Sequence, residues 1–162
     1  MKKIIFIALI AILVLGGMTL FGRSRTDKPV INAASGILSI DRASHDFGRI
    51  SMGAGNVSTA FIIQNNTSTD ILVEKITTSC MCTVAYISGG DGRKGPFGMP
   101  GHGGPAGRAD EIIRSGESRE IEIVFDPAAH GPAGVGKVER IIYLEDSLGR
   151  VTEFKFSALV TP

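Results

Sequence analysis

The chain has two cysteines, Cys80 and Cys82, separated by Met81 in the stretch "ITTSCMCTVAY". Thiols at that spacing can do one of three things. On an extended strand, residues two apart project from the same face, so both cysteines share one environment and Met81 takes the other. Free cysteine packs as a small hydrophobe, and the pair could simply fill a core between Ile76 and Val84. Two thiolates also suit a soft ion such as Cu(I), assisted by Met81, Met99 or His102. A redox pair is the third reading. A zinc site is incomplete, because two further ligands at recognisable spacing are missing.

Strand geometry separates the two Cα atoms by roughly 6.6 Å, near the upper edge of disulfide geometry, with parallel side chains. A mutual disulfide then requires a kink. The expectation is therefore two free thiols, side by side at the end of a strand and at least partly buried. The candidate metal ligands are Cys80 and Cys82, with Met99 and His102 as helpers, and no cofactor is called for apart from the Cu(I) alternative.

Other chemistry finds little support. His45, His102 and His130 lack the nucleophile elbow and acid partner of a hydrolase. "DFG" at 46–48 has no accompanying catalytic loop, so Phe47 is read as packing and Gly48 as a turn. In "GGDGRKGP" Lys94 is followed by Gly95 rather than Ser or Thr, which removes the phosphate-loop reading. No catalytic constellation is visible, and the chain is not expected to be an enzyme. A net charge of +1 gives no field for nucleic acid, and the absence of Trp with 6% aromatic residues argues against a stacking platform.

The elements that must position the cysteines follow from patterning. Lys2 and Lys3 precede an uncharged apolar run from Ile4 to Phe21, long enough to cross a hydrocarbon core of roughly 30 Å. It is longer than the apolar region of a secretory signal, so residues 1–21 are read as an uncleaved signal anchor with a single transmembrane helix. The short amino terminus favours a cytoplasmic start, which places the bulk of the chain on the extracytoplasmic side of the cell membrane. Residues 22–36 are polar and broken by Pro29, as in a linker. From residue 37 to 162 the pattern has period two. Val57, Thr59, Phe61 and Ile63 share a face, as do Leu72 and Ile76, and Ile121, Ile123 and Phe125. About seven short strands with regular turns predict an all-β, immunoglobulin-like antiparallel β-sandwich. The Gly- and Pro-rich segment 88–111 is expected to be a surface loop without strands.

Several of these residues carry a resemblance. "HDFGRISMGAGNVSTAFIIQNNTSTDILVEKITTSCMCTVAY" and "IRSGESREIEIVFDP" resemble the opening and a later strand of the bacterial domain of unknown function 1573 family. The resemblance covers about residues 44 to 146, and T-S-C-x-C-T is its most specific part. It implies an exported immunoglobulin-like sandwich, in a family without an established activity. Met81 stands where that family commonly has glycine, Ser115 where it has proline, and segment 88–111 resembles an insertion. The function expected is a membrane-anchored protein-binding or structural module with a protein partner. The alternative is a thiol-based copper-binding or redox protein.

Overall fold

A computed structural model describes residues 37–90, 92–101 and 107–162. The period-two segments become strands, ten in all among the described residues: β1 (Ser39–Ile40), β2 (Ser44–Ser51), β3 (Val57–Gln64), β4 (Ile71–Thr78), β5 (Thr83–Gly89), β6 (Gly92–Phe97), β7 (Arg108–Ile113), β8 (Ser118–Phe125), β9 (Gly136–Asp146) and β10 (Val151–Thr161). They form two five-stranded sheets. The first runs β1-β3-β8-β5-β6 and the second β2-β10-β9-β4-β7.

Alternation decides which face each strand buries. Phe61 and Ile63 of β3 and Ile121, Ile123 and Phe125 of β8 turn inward from the first sheet. Ile142 and Leu144 of β9 and Phe154 and Phe156 of β10 meet them from the second. The sheets touch through aromatic pairs, Phe125 on Phe156 with centroids 5.1 Å apart and Phe61 on Phe154 at 4.6 Å. Each such side chain contributes about 1.5–3 kcal/mol by leaving water, so this seam is the main source of stability.

A buried ion pair also crosses between the sheets. Arg119 of β8 donates through Nε to Glu111 of β7 at 2.7 Å, and Lys94 of β6 approaches the other carboxylate oxygen at 2.6 Å. Arg119 has room to reach across because residue 89 is glycine, where a Cβ would overlap its Cδ and Nε.

Four expectations need correction. The sandwich has ten strands rather than about seven. It is not wholly antiparallel, since β2 runs parallel to β10 from Ser44 opposite Lys155 to Ser51 opposite Thr161. Leu72 and Ile76 do not share a face: a bulge between Val73 and Lys75 shifts the register, so Val73 and Ile76 are both buried while Leu72 is only half-buried.

Segment 88–111, expected as a loop without strands, contains β6 and the start of β7. Its glycines serve close approach as well as freedom. At Gly95 a Cβ would meet Tyr86 Cδ1 and Ala85 O, so the bare backbone is what lets β6 lie against β5. Pro96 is tolerated because β6 is an edge strand. Phe97 then buries itself in the core.

Among the described residues no helix is long and apolar enough to cross a membrane. The anchor read at 1–21 and the linker read at 22–36 lie outside the described residues.

Candidate thiol site at the turn between the sheets

β4 belongs to the second sheet and β5 to the first, so residues 79–82 must carry the chain across the end of the sandwich. The local sequence makes that crossing tight. Thr78 is buried, and its hydroxyl donates toward both Cys80 O and Thr83 O at 3.0 Å. Cys80 O also accepts from Thr83 N at 3.1 Å, closing a turn. Ser79 fixes the turn to β9, with Ser79 N donating to Ile141 O and Ile141 N donating to Ser79 Oγ, both at 2.9 Å. Cys82 O accepts from Asp126 N at 2.9 Å, which ties the other side to the end of β8.

That turn overturns the strand placement of the cysteines and, with it, the expectation of free thiols. Their Cα atoms lie 5.3 Å apart, closer than an extended strand allows, and Cys80 and Cys82 are joined in a disulfide. Met81 does not oppose the bend. Among the described residues the sole non-glycine residue with positive φ is Asp110, so position 81 has no need of glycine. Met81 instead occupies the tip, 53% exposed. The burial was as expected: Cys80 is 9% exposed and Cys82 is 3%.

Each sulfur has a basic neighbour. Cys80 Sγ lies 3.1 Å from His130 Nε2. Cys82 Sγ accepts from Arg140 Nε at 3.2 Å. Arg140 is half-buried on β9, which the Ser79 bonds bring beneath the turn. His130 is exposed and arrives on the loop after β8. There Asp126 Oδ1 accepts from Ala128 N at 2.8 Å and Ala128 O from Gly131 N at 2.8 Å, turning the chain back over Cys80. Gly131, at φ 54, takes a conformation other residues avoid. Gly134 packs under the histidine, where a Cβ would come 3.2 Å from His130 Cβ.

The donor atoms of Cys80, Cys82 and His130 all lie within 4.8 Å of one another. Of the helpers expected, Met99 is half-buried beyond β6 and His102 lies outside the described residues. Spacing in sequence gave no sign of His130 or Arg140, which are 50 and 58 residues from their cysteines. The "VFDP" stop to β8 was the one available cue, because it forces the chain to turn at the cysteine end.

Residues 38–94 match the family model described as "Protein of unknown function (DUF1573)", the family that the sequence resembles. A protein of unknown function from Porphyromonas gingivalis W83 is similar in fold, with a TM-score of 0.55 at 16% identity over 82% of this chain and 51% of that one. The Vibrio cholerae VesB protease is similar over 75% of this chain and 31% of its own, with a TM-score of 0.51 and 15% identity. The chain thus spans about half of the first protein and less than a third of the second, and at such identity the likeness is one of fold. No curated protein matches the chain.

Proposed function

We propose that this chain, matched to the DUF1573 family over residues 38–94, is a membrane-anchored, extracytoplasmic immunoglobulin-like domain that docks thiol-bearing proteins and exchanges electrons with them through Cys80 and Cys82. The observation that carries this reading is the asymmetric dressing of the two sulfurs, His130 on one and Arg140 on the other.

Thiol–disulfide exchange needs an attackable sulfur and a leaving sulfur that tolerates negative charge. Cys80 is the more accessible of the two and stands beside an exposed imidazole. A partner thiol gives its proton to the exposed imidazole of His130 and attacks Cys80 Sγ. The bond to Cys82 breaks, and Cys82 leaves as a thiolate facing the Arg140 Nε–H. The partner's second thiol then attacks the partner sulfur of the mixed disulfide and releases Cys80. The partner loses two electrons and two protons and becomes a disulfide, and the chain gains both as two thiols.

Two further features support a protein partner. Met81, at the tip of the turn, and Val135, on the loop that carries His130, are 53% and 43% exposed and offer apolar contact to a partner. The apolar run after Lys2 and Lys3 supports the anchor. A disulfide persists in oxidising compartments, which supports the extracytoplasmic side.

The test equilibrates the full chain, in detergent, with graded ratios of a small dithiol to its disulfide, followed by acid quenching, alkylation and mass measurement. Two thiols should appear together in one step while the β-sheet circular dichroism persists. A chain that keeps its disulfide and its fold in large dithiol excess would leave only the structural or binding module. Protease accessibility of the domain in intact cells tests location, and protection there defeats the extracytoplasmic assignment.

A further inference from the structure

We infer that the reduced form of the site is a Cu(I) centre in which Cys80 and Cys82 supply two thiolates and His130 Nε2 the third donor. The inference rests on the preceding reading that the disulfide opens. The donor set differs from the one that sequence spacing suggested, because His130 takes the place given to Met99 and His102.

The geometry is close to what a three-coordinate ion needs. With bonds of about 2.3 Å to sulfur and about 2.0 Å to nitrogen, the lengths zinc shows to these ligands, a trigonal plane has donor–donor edges of about 3.7–4.0 Å. Cys80 Sγ and His130 Nε2 stand at 3.1 Å, and all three donor atoms lie within a 4.8 Å span. Once the sulfur–sulfur bond is gone, the two thiolates separate by side-chain rotation, with the turn still held by Thr78 and Ser79.

Charge and ligand type select the ion. Two thiolates, a neutral imidazole and Cu(I) sum to one negative charge, and the Arg140 guanidinium at Cys82 compensates it. Soft sulfur ligands favour Cu(I), which accepts two or three donors. A structural zinc site takes four protein ligands, and the cluster of cysteine, histidine and carboxylate donors among the described residues has three. Because His130 is exposed, one side of the centre faces solvent, where a partner's ligand can reach the ion.

Loading is gated by redox state. A dithiol donates two electrons and two protons to the Cys80–Cys82 bond and itself becomes a disulfide, leaving two thiols on the chain. Cu(I) then displaces their two protons and does not change oxidation state. The oxidised chain has neither thiolate to offer.

The experiment reduces the full chain in detergent with a phosphine, which opens the bond without any exchange partner, and removes the phosphine anaerobically. Alkylation and mass measurement then confirm two thiols before copper is offered as its coloured bicinchoninate complex. The reduced chain should withdraw one Cu(I) and the oxidised chain none. X-ray absorption of the copper form should show two sulfurs and one nitrogen. His130→Ala, at an exposed position where folding is not at stake, should lower the affinity at least tenfold, and Cys82→Ser should abolish retention. A reduced chain that cannot compete for copper overturns the inference. Unchanged affinity in His130→Ala does the same, as does retention of Zn(II) but not Cu(I). Failure of dithiol exchange is read from the thiol count alone, so it stays separate from failure of the copper site.

Discussion

The Nε–H of Arg140 donates to Cys82 Sγ at 3.2 Å, and a second bond, from Nη1 to Glu139 O at 2.8 Å, holds the guanidinium in place. A cation fixed at one sulfur favours cleavage in the direction that puts charge there. Arg140→Gln should therefore slow reduction by a dithiol about tenfold, the equivalent of a charge-assisted hydrogen bond of about 1.5 kcal/mol. Stopped-flow measurement of thiol release checks it, and the urea midpoint should stay close to that of the unaltered chain.

The two cysteines should react unequally when each is left alone. In Cys82→Ser the remaining Cys80 thiol lies beside exposed His130, whereas in Cys80→Ser the remaining thiol is the deeper one, covered by Arg140. Iodoacetamide should label the Cys82→Ser variant several-fold faster. Equal rates would remove the basis for attack at Cys80.

Gly134 offers a way to move His130 without replacing it. A methyl group there would press on His130 Cβ at 3.2 Å and approach Pro127 O at 3.6 Å. Gly134→Ala should lower the exchange rate a few-fold by displacing the ring. Its effect on the unfolding free energy should stay under about 1 kcal/mol, since the loop is at the surface.

Glu111 makes stability depend on acid. Burial opposes its charge, but hydrogen bonds and attraction from Lys94 and Arg119 outweigh that and hold its carboxyl below the usual carboxylate range. A carboxyl that ionises more readily folded than unfolded stabilises the fold above its unfolded value, near pH ~4.3, and loses that effect as pH falls through its folded value. Glu111→Gln should cost about 3 kcal/mol near neutrality by leaving Arg119 short of a buried partner. The variant should then lose less on acidification. Urea midpoints at about pH 7 and about pH 3 measure both parts. A residual slope is expected from Asp146, where burial is outweighed by hydrogen bonds from the backbone and side chain of Arg150.

The sequence reported the strands well because burial on one face leaves a period of two that side chains must obey. Phe61 with Ile63, and Ile121 with Ile123 and Phe125, are buried as their alternation required. Period alone does not report partners, so the parallel pairing of β2 with β10, between ends 111 residues apart such as Ser157 Oγ and Asp46 Oδ1, left no local mark. Gly95 is ambiguous in the sequence because glycine serves chain freedom and close approach alike, and only the neighbouring Tyr86 distinguishes them. The cysteine pair was legible as chemistry, yet its state was not. Whether two residues of a C-x-C run are extended or bent depends on Thr78 and on the change of sheet, neither of which spacing encodes.

The bond between Cys80 and Cys82 spans a sequence separation of only 2, and this has a thermodynamic consequence. A cross-link stabilises a fold chiefly by removing conformations from the unfolded chain, and a loop this small had few to remove. The chain-entropy relation gives about 1.6 kcal/mol, against about 3 kcal/mol for a loop of about fifteen residues. That is a small part of the roughly 5–15 kcal/mol that holds a typical domain together. Opening the bond thus leaves the seam of Phe61, Phe125, Phe154 and Phe156 to hold the sheets, so under the proposed exchange a partner would meet the same folded surface in both redox states.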